Sequence, residues 1–238
     1  FAKGAFYKAL ATAMQKLAHE IICVSEYQAS FLKREKGVIV APNSLSNNFT
    51  NRLIPTPQTA FERKQILMLG SLKLYKSPLE FIELAQKLPQ FTFELVVNDT
   101  QENINGFMKE HKINICKNLT IYPQQNDVVP FYNQASLVLN LSDKKQVVET
   151  FGLTALEAMS AGLPVIVPTE GGIAEMVVDG ENGYKIDVQN LNQIAECIKT
   201  ILSDETLYMK LAQNALAYSK RFSEAKMVNC IEMILNRK

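Results

Sequence analysis

The sequence predicts an α/β fold in which helices cover both faces of a mainly parallel sheet. Three observations support this class. Strand-like runs alternate with helical patterns along most of the chain, which is typical of βαβ crossovers. The strand-like runs are almost continuously apolar, as in strands that are buried on both faces. With 238 residues, of which 47% are hydrophobic and 21% charged, the chain has the composition of a folded globule. We therefore expect one large domain with a smaller appended piece.

The smaller piece is predicted at the N-terminus. Apolar residues at helical spacing, namely Phe6, Leu10, Met14 and Leu17, predict a helix over residues 3–19. The run at 21–25 predicts a buried strand, and a second helix over 26–35 leads to a strand at 38–41. Residues 42–60 are rich in Asn, Ser, Thr and Pro, so we predict a linker there.

The larger domain is predicted to start at residue 61 and to continue to residue 221. Its strands are expected at 66–71, 91–97, 119–122, 136–142, 164–168 and 183–187. Its helices are expected at 78–88, 102–111, 127–135, 153–162, 190–202 and 204–220. A C-terminal helix is predicted within residues 222–238, after Ser223.

The charge and cysteine content exclude several classes of partner and location. The 25 Lys and Arg residues nearly balance the 24 Asp and Glu residues, so no overall field favours nucleic acid or an acidic membrane. The cysteines, Cys23, Cys116, Cys197 and Cys230, lack CxxC spacing, and we expect buried thiols in a reducing compartment. No apolar run is long enough for a membrane span, and nothing resembles a signal peptide. We expect a cytoplasmic chain, and because it opens on Phe1 we expect a piece of a longer protein.

The functional residues are expected just after strands. Open parallel sheets bind ligands beyond the carboxyl ends of their strands. Four segments of this chain stand at such places: 70–76, 98–99, 142–154 and 169–172.

The most specific motif is the pair Glu149 and Glu157, with seven residues between them and Phe151-Gly152 in the interval. Gly152 allows a ligand to approach the backbone closely. The helix that it opens offers the N–H groups of Gly152, Leu153 and Thr154 to an anion such as a diphosphate. Glu157, about one turn inside the helix, is placed to accept hydrogen bonds from a ribose diol. A lone Glu149 would more often be a helix cap than a ligand.

The diphosphate also needs a cation, and the segment 70–78 (GSLKLYKSP) provides candidates after a strand. Lys76 is the first candidate for a charge that stabilises the leaving group, and Lys73 is the reserve. Gly70 and Ser71 share the same loop. Surface lysines before helices are commonly only solvated, so Lys76 rests largely on the family resemblance that follows.

These residues resemble the GT-B glycosyltransferases, and glycosyltransferase family 4 in particular. The family pattern E-x7-E, with F-G-x-x-x-x-E-A-M-A-x-G-x-P-V-I, is similar to residues 149–166 with Ser160 in place of Ala. The segment GGIAEMVVDGENGYKI at 171–186 resembles the next family motif, and IICVSEYQASFL resembles the end of the acceptor-binding domain. The resemblance covers nearly the whole chain. It implies a Rossmann-like C-terminal domain at 61–221 and a remnant of the N-terminal domain at 1–41.

The resemblance implies a role for each site residue. Glu157 would bind the ribose hydroxyls, Glu149 would contact the donor sugar near the reacting carbon, and Lys76 would bind the diphosphate. The backbone around Gly152, Leu153 and Thr154 would hold phosphate and sugar. Phe151, Gly70, Ser71, Lys73 and Gly172 complete the expected donor site.

The implied activity is retaining hexosyl transfer, without a metal or other cofactor, from a UDP-sugar or GDP-sugar. The acceptor would be a glycan or a lipid-linked molecule bound by the absent N-terminal domain, and any membrane contact would also lie in the absent part. The isolated chain would be incomplete for catalysis. A role in surface-polysaccharide synthesis is an expectation from bacterial relatives.

Two departures from the family pattern and several alternatives remain. Ser71 stands where the family commonly has an Arg, and Asn43-Ser44 replaces Asn-Gly. The family's N-terminal glycine-rich loop and donor-site His are absent, and His19 and His111 are expected at the surface. Gly171-Gly172 is equally compatible with ligand contact and with a simple turn, and Pro123 and Gln124 are candidates for a base pocket by position alone. The alternative functions are a nucleotide-sugar epimerase and a non-catalytic nucleotide-sugar-binding domain.

Overall fold

The computed structural model describes residues 5–34 and 36–236, and its strands form two separate parallel sheets. The smaller sheet pairs β1 (Ile21–Cys23) with β2 (Val38–Val40). Helix α1 (Ala5–Leu17) precedes it, which confirms the helix predicted over 3–19 for residues 5–17. Residues 18 and 19 are not helical, and residues 3 and 4 lie outside the described residues. The Phe6 side chain, one of the four that predicted this helix, is also outside them.

The second predicted helix is much shorter than expected. Helix α2 (Glu26–Ala29) has four residues, so the prediction of a helix over 26–35 is wrong for residues 30–34, and residue 35 lies outside the described residues. The Arg34 guanidinium donates to the backbone carbonyls of Ala18 and His19 at the end of α1, at 2.6 and 2.9 Å. This tertiary contact draws the chain away from the helical path, since packing overrides local helix propensity.

The larger sheet contains six parallel strands in the order β5-β4-β3-β6-β7-β8. The predicted positions of all six are confirmed to within a few residues at their ends. They are β3 (Gln65–Gly70), β4 (Thr92–Val97), β5 (Leu119–Tyr122), β6 (Leu137–Leu139), β7 (Val165–Val167) and β8 (Gly183–Lys185).

Helices flank this sheet, and those predicted from apolar spacing are present. The remaining α-helices are α3 (Asn47–Thr50), α4 (Pro57–Arg63), α5 (Pro78–Lys87), α6 (Gln101–Glu110), α7 (Val129–Gln134), α8 (Leu153–Ser160), α9 (Gly172–Glu175), α10 (Leu191–Ser203), α11 (Glu205–Ser219) and α12 (Glu224–Leu235). Short 3-10 turns occur at Leu74–Lys76, Val188–Asn190 and Lys220–Phe222. Residues 237 and 238, the end of the predicted C-terminal segment, lie outside the described residues.

The segment predicted as a linker, 42–60, contains helical structure, and its role as a linker stays a prediction. It contains α3 and the first four residues of α4, so a domain start at residue 61 would fall inside a helix. The Ser46 hydroxyl caps α3 by accepting from the N–H of Phe49 at 3.3 Å, and Pro57 starts α4. The segment also packs on its neighbours, since the N–H of Ile54 donates to Asn133 Oδ1 at 2.9 Å. The division into domains otherwise stays a prediction.

The order of the strands in the larger sheet reverses between β3 and β6. The chain runs from β3 outward to β5, then returns to the other side of β3 to form β6, β7 and β8. The loops after β3 and β6 therefore diverge from adjacent strands, and such a switch point is where parallel α/β sheets leave a crevice for ligands. The strands beneath are fully buried at Ile66, Leu137 and Ile166.

Two expectations about the whole chain can be compared with the structure. All four cysteines are free thiols, but only Cys23 is buried, and the other three are partly exposed. Within the described residues, we find no helix whose length and apolar character would allow it to cross a membrane.

Candidate functional site

A cavity of about 510 Å³ lies at the carboxyl ends of β3, β4 and β6, at the predicted switch point. Its walls come from the ends of these strands and from the loop and first turn of α8. The lining residues are Asn43, Leu69, Gly70, Ser71, Lys76, Asn98, Asn140, Glu149, Thr150, Phe151, Gly152, Leu153 and Thr154. Three of the four segments singled out from the sequence thus meet in one place, and 169–172 is absent from the lining.

Lys76 and Glu149 form an ion pair in this cavity. The Lys76 ammonium donates to Glu149 Oε1, and about a fifth to a quarter of each side chain is exposed. Ser142, which is 3% exposed, lies between them: its hydroxyl donates to Glu149 Oε1 at 2.9 Å and accepts from Lys76 Nζ at 3.3 Å. Of the cavity lining within the described chain, Lys76 supplies the single cationic side chain and Glu149 the single anionic one.

Gly152 allows the loop after Glu149 to turn directly into α8. Its φ is +92°, which L-residues with a side chain rarely adopt, and a Cβ there would lie 2.4 Å from the Ile173 side chain. Helix α8 begins at the next residue, Leu153. The N–H groups of its first turn have no carbonyl partner inside the helix, and the helix dipole places partial positive charge at this end. An anion in the cavity would meet these groups together with Lys76.

Glu157 lies further along α8 and is not part of the cavity wall. One of its oxygens, Oε2, accepts a hydrogen bond from the buried Tyr132 hydroxyl of α7. Burial raises the pKa of the Glu157 carboxyl, and the Tyr132 hydrogen bond partly opposes that rise. The other carboxylate oxygen has no partner among the described residues, so it is available to a ligand hydroxyl.

The remaining predicted residues divide into two groups. Gly70, Ser71, Phe151, Leu153 and Thr154 line the cavity, and Leu153 is 44% exposed there. Lys73 is exposed and lies outside the lining, with its Nζ 6.0 Å from the centre of the Tyr75 ring. The structure therefore brings Lys76, and not the reserve Lys73, to the site.

Gly172 sits behind the loop instead of in the cavity. Its N–H donates to the carbonyl of Glu149 at 2.9 Å, and a Cβ on it would lie 1.9 Å from the carbonyl oxygen of Thr150. Gly171, at φ +107°, is packed in the same way against Glu149. These contacts give the pair a conformational role, and donor contact by Gly172 stays a prediction.

Asn140 lines the cavity but lay outside the segments singled out from the sequence, and Ser142 lies beside the lining, where it bonds Lys76 and Glu149. Asn140 Oδ1 accepts from the N–H of Ser142 at 3.1 Å, and its amide donates to the Thr154 hydroxyl at 3.3 Å. Asn140 therefore fixes the end of β6 to the first turn of α8. The available signal for Asn140 was its position, because it is a polar residue that directly follows the buried strand β6. Asn43 and Leu69 were also missed, whereas Asn98 and Thr150 lie in the segments 98–99 and 142–154 that the sequence singled out, although neither was named as a site residue.

Other side chains considered from the sequence lie elsewhere. Neither His19, which is exposed, nor His111, which stacks on Phe107 with 4.4 Å between ring centres, lines the cavity. Pro123 and Gln124 are also outside its lining, so a base pocket there stays a prediction. Across residues 5–34 and 36–236, no three His, Cys, Asp or Glu side chains gather into a set that could hold a metal ion.

A comparison with protein families matches residues 52–218 to the family described as glycosyl transferases group 1. This match covers more than half of the chain and includes the cavity, apart from Asn43. Two curated relatives illustrate the similarity. The chain is 25% identical over 193 residues to an uncharacterized glycosyltransferase of Haemophilus influenzae, covering 78% of this chain and 53% of the relative. It is 30% identical over 141 residues to the N-acetyl-alpha-D-glucosaminyl L-malate synthase of Bacillus anthracis, covering 59% and 36%.

Solved structures show the same fold. The Anabaena protein Alr3699/HepE, crystallised in complex with UDP and glucose, superposes with a TM-score of 0.81 at 22% identity, over 97% of this chain and 66% of that one. At this identity the likeness concerns the fold alone. The chain spans about half the length, or less, of the curated relatives described above.

Proposed function

The chain belongs to the glycosyl transferases group 1 and has the fold of the GT-B glycosyltransferases, and on this premise we propose that it is the donor-binding half of an enzyme. The enzyme would transfer a sugar from a nucleoside diphosphate-sugar to a glycan or lipid-linked acceptor. One observation carries the proposal: Lys76, Glu149 and the N-terminus of α8 converge on a single cavity. The narrower assignment to family 4 stays a prediction.

In this proposal the diphosphate lies between Lys76 and the first turn of α8. The ammonium supplies a mobile positive charge, and the N–H groups of Leu153 and Thr154 supply fixed donors. Both would stabilise the charge that accumulates on the diphosphate as the bond to the sugar breaks. The residues present thus neutralise the leaving group themselves, and we propose retaining transfer without a metal or cofactor.

The two carboxylates would hold the two ends of the donor. Glu149 lines the cavity, so we place it at the sugar near the reacting carbon. Glu157 lies deeper along α8, where its second oxygen would accept from the ribose hydroxyls. Because Tyr132 already donates to the first oxygen, the ribose would complete the hydrogen bonding of a half-buried carboxylate.

The donor proposed is a UDP-sugar or GDP-sugar carrying a hexose. The crystallised complex of the Anabaena protein with UDP and glucose supports the UDP alternative. The acceptor would be bound by the parts of the relatives that this chain does not span, so the isolated chain would be incomplete for catalysis. We propose a cytoplasmic enzyme whose membrane contact, if any, lies in those parts.

A second candidate is a nucleotide-sugar-binding domain without catalysis. The observation that favours it is the charge balance of the cavity, since Ser71 stands where the family commonly has an Arg, and Glu149 already neutralises Lys76. A full-length protein that binds the donor but neither hydrolyses nor transfers it would establish this alternative. An epimerase would instead convert the donor sugar without any acceptor, which analysis of the sugar product detects.

The deciding experiment is calorimetric titration of this chain with UDP, GDP, ADP and uridine. We expect one nucleoside diphosphate to bind in preference to the others, and Glu157→Ala to lose that binding. Glu102→Ala, which removes an exposed carboxylate from α6, is the matched control and should bind as the unaltered chain does. The proposal is wrong if none of the diphosphates binds, or if Glu157→Ala and Glu102→Ala behave alike.

A further inference from the structure

The loop that carries the candidate site is held from outside the cavity by the N-terminal part of the chain. The carbonyl oxygen of Thr150 accepts a hydrogen bond from the Ser25 hydroxyl at 2.6 Å. Ser25 is 3% exposed and is 125 residues away in sequence. Thr150 itself lines the cavity, next to Glu149 and two residues before Gly152. A buried side chain of the first 41 residues thus fixes a peptide group of the donor loop.

A second contact holds the same N-terminal segment in place. Both carboxylate oxygens of Glu175, at the end of α9, accept from the first N–H groups of α2: Glu26 N at 3.1 Å, and Tyr27 N. The Tyr27 hydroxyl donates to Glu170 Oε1 at 2.8 Å. Burial and the Glu170 carboxylate raise the pKa of Tyr27 to about 12, so this hydroxyl remains a donor at neutral pH. The carboxylates of Glu170 and Glu175, on either side of Gly171-Gly172, therefore both accept hydrogen bonds from α2.

The Thr150 carbonyl is closely packed between Gly172 and Ser25. A Cβ on Gly172 would lie 1.9 Å from that oxygen and 2.7 Å from the Ser25 Cβ. The Gly172 N–H also donates to the carbonyl of Glu149 at 2.9 Å. The segment around α2, the turn at Gly172 and the donor loop therefore meet at one point, where Ser25 and Gly172 are buried.

We propose that Ser25 and Glu175 are positioning residues for the donor site, acting through the Thr150 carbonyl. This inference rests on the proposed function and extends it to residues that do not themselves line the cavity. Rotation of the peptide after Thr150 would change the backbone at Phe151 and Gly152, and with it the direction of the first N–H groups of α8. Displacements of about 1 Å at a binding site have large effects on affinity and rate.

Ser25 also caps α2, because its oxygen accepts from the N–H of Gln28 at 3.1 Å, and the test must separate this local role from the contact with Thr150. The chain offers a matched control. Ser46 caps α3, another four-residue helix, through the same kind of bond to Phe49 N, but it is exposed and has no hydrogen bond to the donor loop among those of the described residues. Ser46→Ala therefore removes an equivalent cap alone.

Hydrogen–deuterium exchange of the 238-residue chain, measured without nucleotide, tests the positioning directly. We expect Ser25→Ala to speed exchange of the backbone amides at 150–154 by about tenfold or more, because the opening of this loop loses a hydrogen bond that opposes it. Ser46→Ala should leave these amides unchanged. Glu175→Gln weakens the hydrogen bonds to α2 and leaves the Ser25 side chain unchanged. It should speed the exchange at 150–154 as well, but by a smaller factor. It serves as the deciding variant if Ser25→Ala exchanges faster throughout the chain.

Titration with UDP and with uridine adds a readout that general loss of structure would not give. If Ser25 orients the phosphate-binding N–H groups, Ser25→Ala should weaken UDP binding by about tenfold while uridine binding stays the same. Unaltered exchange at 150–154 in both Ser25→Ala and Glu175→Gln would overturn the inference. If the unaltered chain binds none of UDP, GDP and ADP, the proposed function fails, whereas the exchange comparison still decides whether Ser25 and Glu175 hold the loop.

Discussion

The Lys76 ammonium and the Glu149 carboxylate, 73 residues apart in sequence, are bound to each other in the cavity that is proposed to receive the donor. Ser142 bridges them from beneath. The cation proposed for the diphosphate is thus already neutralised by the carboxylate proposed for the sugar. Binding of a diphosphate would draw Lys76 from Glu149 and leave that carboxylate free to contact the sugar.

The first prediction concerns Lys76. Lys76→Ala should weaken binding of a nucleoside diphosphate by about 10- to 100-fold and leave the nucleoside almost unaffected, because a charge-assisted hydrogen bond to phosphate is lost. Calorimetric titration with UDP and uridine measures both. Lys73→Ala is the control, because it removes the same charge from an exposed position outside the cavity. Equal losses for UDP and uridine in Lys76→Ala would show that Lys76 is not the phosphate contact.

The second prediction concerns its partner. Glu149→Gln keeps the shape and an acceptor for Ser142 but removes the negative charge that holds Lys76. We expect UDP to bind to this variant as tightly as before, or up to about tenfold more tightly, because Lys76 is no longer paired. In the full-length enzyme the same change should reduce the rate of sugar transfer. Loss of UDP binding as large as that in Lys76→Ala would mean that Glu149 is needed to place the lysine.

The third prediction concerns the stability cost of Glu157. Burial raises the pKa of the Glu157 carboxyl in the folded state, so folding favours the protonated form. The stability that the protonated carboxyl contributes is lost as the pH rises through the folded-state pKa. At neutral pH the ionised carboxylate is therefore a cost. Glu157→Gln should raise the melting temperature at pH 7, by about 2–4 °C for each kcal/mol relieved, while it weakens nucleotide binding.

Scanning calorimetry at several pH values checks this sign. The difference in melting temperature between the variant and the unaltered chain should shrink as the pH falls below the ordinary range of a carboxyl group. Glu102→Gln, an exposed carboxylate, provides the reference. A lower melting temperature for Glu157→Gln at pH 7 would contradict the argument.

The fourth prediction concerns the turn into α8. Gly152→Ala should lower the free energy of unfolding by about 2–4 kcal/mol, because the new Cβ faces both an unfavourable positive φ and the Ile173 side chain. Chemical denaturation measures the loss. Gly106→Ala is the matched control, since this glycine lies in α6 with no atom within 4 Å of the added Cβ. The control should gain about 0.5–1 kcal/mol from helix propensity, and a similar gain in Gly152→Ala would refute the prediction.

Much of the architecture follows from sequence patterns. Continuous apolar runs located all six strands of the larger sheet, since such strands are covered on both faces. The motif from Glu149 to Glu157 located α8 and its glycine start. The patterns failed where contacts distant in sequence decide the structure. Arg34 ends the segment after α2 by binding the end of α1. The segment 42–60 is a different case, because its polar composition concealed the local helix starts at Ser46 and Pro57.

The sequence by itself determined the fold class, the family and the residues that occupy the ends of the strands, because periodicity and motif spacing are local properties of the chain. Only the tertiary structure decided which of those residues meet. It paired Lys76, the first candidate from the sequence, with Glu149, placed Gly172 behind the loop, and joined Ser25 to Thr150. The physical reason is that each of these contacts depends on how separate segments pack. A local sequence pattern therefore does not identify a partner that is 73 or 125 residues away.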